Sequence, residues 1–118
     1  MIARACYRYL GVSSQKTRLV VDQVRGKLVG EALTTLHYSP KRVARDLEKL
    51  VKSAVANAEH LAEKRGDNVD VDRLRIARAR VDDAPSLKRI RHQSMGRVFR
   101  VIKRACHVTI DLDLDQKG

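Results

Sequence analysis

The chain has 118 residues, 43% of them hydrophobic, and carries 25 Lys and Arg against 14 Asp and Glu, a formal net charge of +11. That length holds one domain with a modest core, and that apolar share excludes a disordered polyelectrolyte. No apolar run approaches membrane-spanning length and no secretory h-region opens the chain; two thiols, Cys6 and Cys106, suit a reducing intracellular compartment better than a disulfide framework.

In chain order, Ile2 to Leu10 interleaves small and aromatic residues with Arg4 and Arg8, the pattern of a strand with one wetted face. Ser13 is a good N-cap, and Leu19, Val20, Val21 and Val24 give the following helix an apolar face that Gly26 closes. Its polar side presents Lys16, Arg18, Arg25 and Lys27. A second short helix spans Val29 to His37, and Ser39-Pro40 restarts the chain, with proline at a first helical position. The third helix is the longest. Val43, Leu47, Leu50, Ala54, Ala58 and Leu61, widened by Val51 and Val55, form its buried stripe, and Gly66 ends it near Arg65. Lys41, Arg42, Arg45, Lys49 and Lys52 mix with Asp46, Glu48, Glu59 and Glu63 on its outer side, which reads as a solvated surface.

Asp67-Asn68 marks a turn, and Val69 and Val71 open a strand that continues through Leu74, Ile76, Ala77, Ala79 and Val81. Asp82-Asp83-Ala84-Pro85 is expected to interrupt it, since proline in a sheet is confined to edges, bulges and unpaired positions. A last strand runs from Arg97 to about Leu114, and the strict alternation from His107 to Leu114 predicts one buried and one wet face. Two long arms, one ending near Ile90 and one starting near Arg97, are joined through Gly96, the glycine a tight reversal requires. From Asp82 to Gln93 such a hairpin reaches roughly 35 Å. A ribbon of that length is marginal alone in water, so it is expected to be loosely ordered until a partner holds it.

Charge singles out the same region. From Arg73 to Arg104 there are eleven cations, Arg78 and Arg80 among them, against Asp82 and Asp83, a net of +9. A solvated face mixes signs for solubility, and this stretch does not. Guanidinium forks match phosphate oxygens, and counterion release from a polyanion adds a salt-sensitive driving force. With Phe99, Tyr7, Tyr9 and Tyr38 the only aromatics, stacking of bases on aromatic platforms is not the main mode; contact through phosphate and shape is expected.

A series of short pieces runs through the chain: Ser13-Ser14-Gln15-Lys16-Thr17-Arg18, Asp22-Gln23-Val24-Arg25-Gly26-Lys27, Glu31-Ala32-Leu33, Pro40-Lys41-Arg42 and Ser53-Ala54-Val55-Ala56-Asn57-Ala58. They continue through Ala84-Pro85-Ser86-Leu87-Lys88-Arg89, Gly96-Arg97 and Lys103-Arg104-Ala105-Cys106-His107-Val108-Thr109-Ile110. In this order and without large gaps, they resemble the large-subunit ribosomal protein twenty-two family. The resemblance implies an α+β fold: three helices packed on a small three-stranded antiparallel sheet, with a long basic β-hairpin extending from the body. It implies a single domain, 1–118, with a body of about 1–81 and 105–118 and a hairpin of about 82–104.

It further implies a structural constituent of the large subunit that binds large-subunit ribosomal RNA, supports assembly and lines the peptide exit tunnel, in a cytoplasmic or organellar ribosome. By position, Lys16, Arg18, Arg25 and Lys27 would hold RNA at the body, with Arg78 and Arg80 on the strand leading outward. Lys88, Arg89, Arg91, Arg97, Arg100, Lys103 and Arg104 would hold it along the hairpin. The tip, Arg91, His92, Gln93, Ser94 and Met95, would face the tunnel and the nascent polypeptide, and neighbouring ribosomal proteins would be further partners. The chain departs from the family at Ser14, where proline is common, and at Ala84, where glycine is usual. His92-Gln93-Ser94 stands where proline, arginine and alanine are usual, which removes one phosphate clamp and loosens the turn.

Other chemistries find little support. His37, His60, His92 and His107 form no metal signature with the cysteines, and adjacent Cys106-His107 on a strand point to opposite faces. Asp82-Asp83 supplies neither the further ligands nor the placed base that a nuclease metal pair needs. No phosphate-binding loop, nucleophile elbow or dinucleotide fingerprint occurs, so neither enzyme activity nor a cofactor is expected. Met95 reads equally as a contact for nascent peptide or as an exposed loop residue. The alternative function is a free-standing architectural nucleic-acid-binding module with a β-ribbon arm. No apolar wedge at the tip and no dimerisation seam support it, and no homo-oligomer or membrane partner is expected.

Overall fold

The computed structural model describes residues 2–66, 70–92 and 94–114. Strand β1 (Ala3–Leu10) is followed by helices α1 (Ser14–Val24), α2 (Val29–His37) and α3 (Val43–Arg65), then by strands β2 (Leu74–His92) and β3 (Val98–Leu114). The sheet is antiparallel in the order β1-β3-β2. Its long axis extends the described residues to 66 × 28 × 16 Å.

The helices cover one face of the inner half of the sheet. Ala3 and Ala5 of β1, Ile76, Ala79 and Val81 of β2, and Val108, Ile110 and Leu112 of β3 are buried there with Val20, Val21 and Val24 of α1, Leu36 of α2 and the stripe of α3. Alanines at Ala3, Ala5, Ala54 and Ala58 are all buried. Their small side chains let α3 lie close to β1, and Asn57 Nδ2 donates to the Arg4 carbonyl at 3.0 Å. Gly66 closes α3 as expected, in a left-handed conformation (φ 75°), with its N–H directed at Ala62 and Glu63.

Several expectations shift. Helix α3 starts at Val43, three residues after Pro40, because the chain first makes a tighter turn: Ala44 donates to Lys41 and Arg45 to Arg42, while Ser39 Oγ accepts from the Lys41 N–H. Leu61 is 36% exposed and Ala62 takes the buried position in the last turn of this 23-residue helix. Leu19 is likewise exposed, at 63%. Val71 lies in a 3-10 turn (Val71–Arg73) ahead of β2, and Asp67, Asn68 and Val69 fall outside the described residues.

The largest difference is at Pro85. Strand β2 is continuous to His92, and the Asp82-Asp83 segment pairs with His107 and Cys106 rather than turning. The register runs from Ala84 opposite Ala105 to Leu87 opposite Lys103, so Pro85 and Ser86 together face Arg104. That two-against-one count is a β-bulge, and an edge strand with a bulge accommodates a residue that has no N–H.

The alternation in β3 also needs correction. Val108, Ile110 and Leu112 are buried as expected, but so are Thr109 and Asp111 on the other face. Strand β3 is central, so side chains of both neighbours cover its outer face. Cys6 lies there opposite Thr109, exposed, whereas Cys106 opposite Leu10 is buried against Thr17 Oγ1 at 3.4 Å. Both thiols are free.

Candidate nucleic-acid interface

The hairpin beyond Ala84 holds the highest density of the expected site residues. Six consecutive cross-strand pairs run from its base to its tip: Leu87 with Lys103, Lys88 with Ile102, Arg89 with Val101, Ile90 with Arg100, Arg91 with Phe99 and His92 with Val98. Five set a Lys or Arg beside an aliphatic or aromatic residue, and the sixth sets His92 beside valine. Successive pairs alternate between faces, so one face carries Arg89, Arg91 and Lys103 and the other Lys88 and Arg100. All of these side chains are exposed. The apolar members serve as cross-strand neighbours along which long cationic stems can lie while the charged heads stay in water; sequence reading counted the charges and missed this pairing.

Arg97 is exposed between the tip and β3. The tip is a 3-10 turn (Ser94–Gly96) in which Gly96 (φ 70°) reverses the chain as expected, joined in the left-handed region by Met95 (φ 68°). Met95 is 96% exposed. Gln93 lies outside the described residues.

At the body the cations behave differently. Arg18 donates to the Val81 carbonyl at 3.0 Å, and Arg25 donates twice to the Ala79 carbonyl, at 2.8 and 3.2 Å, and once to Asp22 at 2.6 Å. The Gly26 N–H donates to the Ile76 carbonyl, the Ile76 N–H to the Lys27 carbonyl, and Leu28 bridges Arg75. Together these cover the outer edge of β2, where unpaired backbone groups would otherwise invite another strand. Lys27 Nζ lies 3.5 Å from Thr35 Oγ1, and Lys16 is exposed. A guanidinium has five donors, so Arg18 and Arg25 can brace the sheet and still face an anion.

On the outer face of the sheet, Arg4 grips Asp111 with Nε–Oδ1 at 2.7 Å and a second contact at 3.2 Å. These hydrogen bonds hold the Asp111 carboxyl below the usual range against the opposing effect of burial, with further pull from the Arg4, Arg78 and Arg80 charges. The same hydrogen bond raises the Arg4 guanidinium above its ordinary value. Arg80 pairs with Asp82 at 3.1 Å. Arg78 and Arg80 are thus partly matched by carboxylates, whereas the hairpin cations beyond Pro85 have none in register with them.

His107, expected to be an ordinary wet-face residue, has a structural task. Its Nδ1 accepts the Tyr9 N–H at 3.0 Å and its ring meets the Tyr9 ring edge-to-face at 4.8 Å. It thereby holds the irregularity between Tyr7 and Leu10 in β1, where Tyr9 has φ 59°. Among the described residues no cluster of His, Cys, Asp and Glu could hold a metal ion, and no helix is long and apolar enough to cross a membrane.

Residues 5–113 match the ribosomal protein L22p/L17e family. The chain belongs to this family. Its relatives include the large ribosomal subunit protein uL22 of Desulfotalea psychrophila, 47% identical over 113 residues and matched across 96% of this chain and 98% of that one. The uL22 protein of Solibacter usitatus is 46% identical over 110 residues, covering 93% and 94%. Members are structural, non-catalytic components of the ribosome, which decides against a free-standing architectural module.

Proposed function

We propose that this structural protein of the large ribosomal subunit works as a clamp for large-subunit ribosomal RNA, with the hairpin inserted between RNA segments and the body seated against RNA beside it. The observation that carries the reading is the two-sided hairpin: cations project from both faces, no acidic residue lies in register with them, and neither face packs on the helices. A ribbon laid on a surface needs charge on one face; a ribbon enclosed by polyanion needs it on both. Lys88, Arg89, Arg91, Arg97, Arg100, Lys103 and Arg104 are the phosphate contacts along the arms. Lys16, with the free donors of Arg18, Arg25, Lys27, Arg78 and Arg80, extends contact over the body. The tip, with Met95 fully presented, meets the exit tunnel and the passing nascent chain, and exposed body surface meets neighbouring ribosomal proteins. Units 1–81 with 105–118 and 82–104 divide the work between body and hairpin.

The test is the salt dependence of binding to large-subunit ribosomal RNA. Replacing Arg97, Arg100, Lys103 and Arg104 with Ala removes four cations without touching the core, so the slope of log affinity against log salt should flatten by roughly 3 to 4. An unchanged slope would show that these residues do not neutralise phosphates.

A further inference from the structure

Where the hairpin leaves the body there is a groove of about 930 Å³, within the range of clefts that take small-molecule ligands, about 300–1,000 Å³. Tyr9, Leu19, Leu87 and Ile102 line it and are 66%, 63%, 54% and 48% exposed. Lys16 of α1, Lys41 and Arg42 ahead of α3, and Lys103 and Arg104 of β3 are also in its wall, which contains no acidic residue. An apolar lining with an all-cationic set of charges complements a ligand that joins a planar apolar group to an anion.

Tyr9 is built for such a ligand. The β1 irregularity sets Tyr9 at φ 59° and leaves it 66% exposed, and the bond from its N–H to His107 Nδ1 holds the backbone there. The edge-to-face contact with His107 occupies at most one face of the ring and leaves the other free. We infer that this groove receives an unpaired nucleotide of RNA, its base stacked on Tyr9 and packed against Leu19, its flanking phosphates held by Lys41, Arg42 and Lys103. RNA is favoured over an acidic peptide because the groove is continuous with the hairpin arms: Leu87, Ile102, Lys103 and Arg104 belong to both. Unpaired bases stacked on aromatic rings are a recurrent mode of RNA recognition. The inference rests on the RNA-clamp reading and adds to it a single-strand subsite on an aromatic ring of the body that borders the hairpin base.

The test uses the full chain with a labelled adenylate hexamer and, separately, an RNA duplex, each titrated by fluorescence anisotropy at several salt concentrations. Tyr9→Ser and Leu19→Ser should weaken the hexamer about tenfold, the scale of one lost stacking contact, at unchanged salt slope, while duplex affinity stays within about twofold. Tyr9→Phe should bind as the parent does. Leu19 is exposed, so its variant keeps the test valid if Tyr9→Ser fails to fold by circular dichroism. Hexamer affinity that falls no more than duplex affinity in Leu19→Ser overturns the subsite and leaves the clamp standing. Parent protein that binds neither RNA overturns both. A labelled Glu-Leu hexapeptide that binds with the Leu19 dependence in place of the hexamer assigns the groove to an acidic peptide and overturns the inference.

Discussion

The guanidinium of Arg25 donates two hydrogen bonds to the carbonyl of Ala79, at 2.8 and 3.2 Å. A residue that sequence alone marks as an RNA contact therefore joins the end of α1 to the edge of β2, seven residues along the chain from Arg18, which does the same at Val81.

Arg25→Ala should accordingly lower stability by about 1 kcal/mol, the net scale of a hydrogen bond, and Arg25→Lys should not restore it, because an ammonium cannot reproduce the fork. Urea denaturation measures the difference. Parent-like stability in both variants would mean that the bracing contributes nothing.

The core assignment has a paired test. Leu50 is 5% exposed and Leu61 36%, so Leu50→Ala should cost about 2–5 kcal/mol and Leu61→Ala under about 1 kcal/mol. Equal losses in thermal melts would place the stripe of α3 wrongly.

Asp111 supplies a pH dependence. Its folded-state carboxyl titrates below the usual range because Arg4 hydrogen-bonds the ionised form. Its contribution is therefore fully present above the ordinary carboxylate value and is lost as pH falls through the lower folded value. Asp111→Asn should flatten the acid limb of stability in that window and leave the neutral-pH salt slope of RNA binding unchanged. An unaltered acid limb would remove the linkage.

The hairpin should be the least protected part of the free chain, since residues 87–92 and 98–103 lie outside the core and their pairing is backed by no helix. Hydrogen exchange should be fast there and slow at 108–112, and addition of large-subunit RNA should slow the hairpin selectively. Protection that is equal in both regions before RNA is added would contradict this.

Much of this was legible locally. The stripe of α3 up to Ala58, the closing Gly66, the reversing Gly96 and the basic arms all follow from spacing and residue type. What escaped depends on strand order. Whether Pro85 breaks β2 turns on that strand being an edge, and whether Asp111 is wet turns on β3 being central; neither is written in the neighbouring residues. The bracing by Arg18 and Arg25 left a faint trace, a seven-residue spacing that puts both on one helix stripe. The Tyr9–His107 contact joins residues 98 apart in sequence and left none.

The most direct test of the central claim is cosedimentation of the tagged chain with large ribosomal subunits through a sucrose gradient after a high-salt wash. The parent should stay with the large subunit, since salt strips nonspecific basic binding, and the variant lacking Arg97, Arg100, Lys103 and Arg104 should be released at lower salt. Parent protein at the top of the gradient, with endogenous large-subunit proteins still retained, would contradict the account.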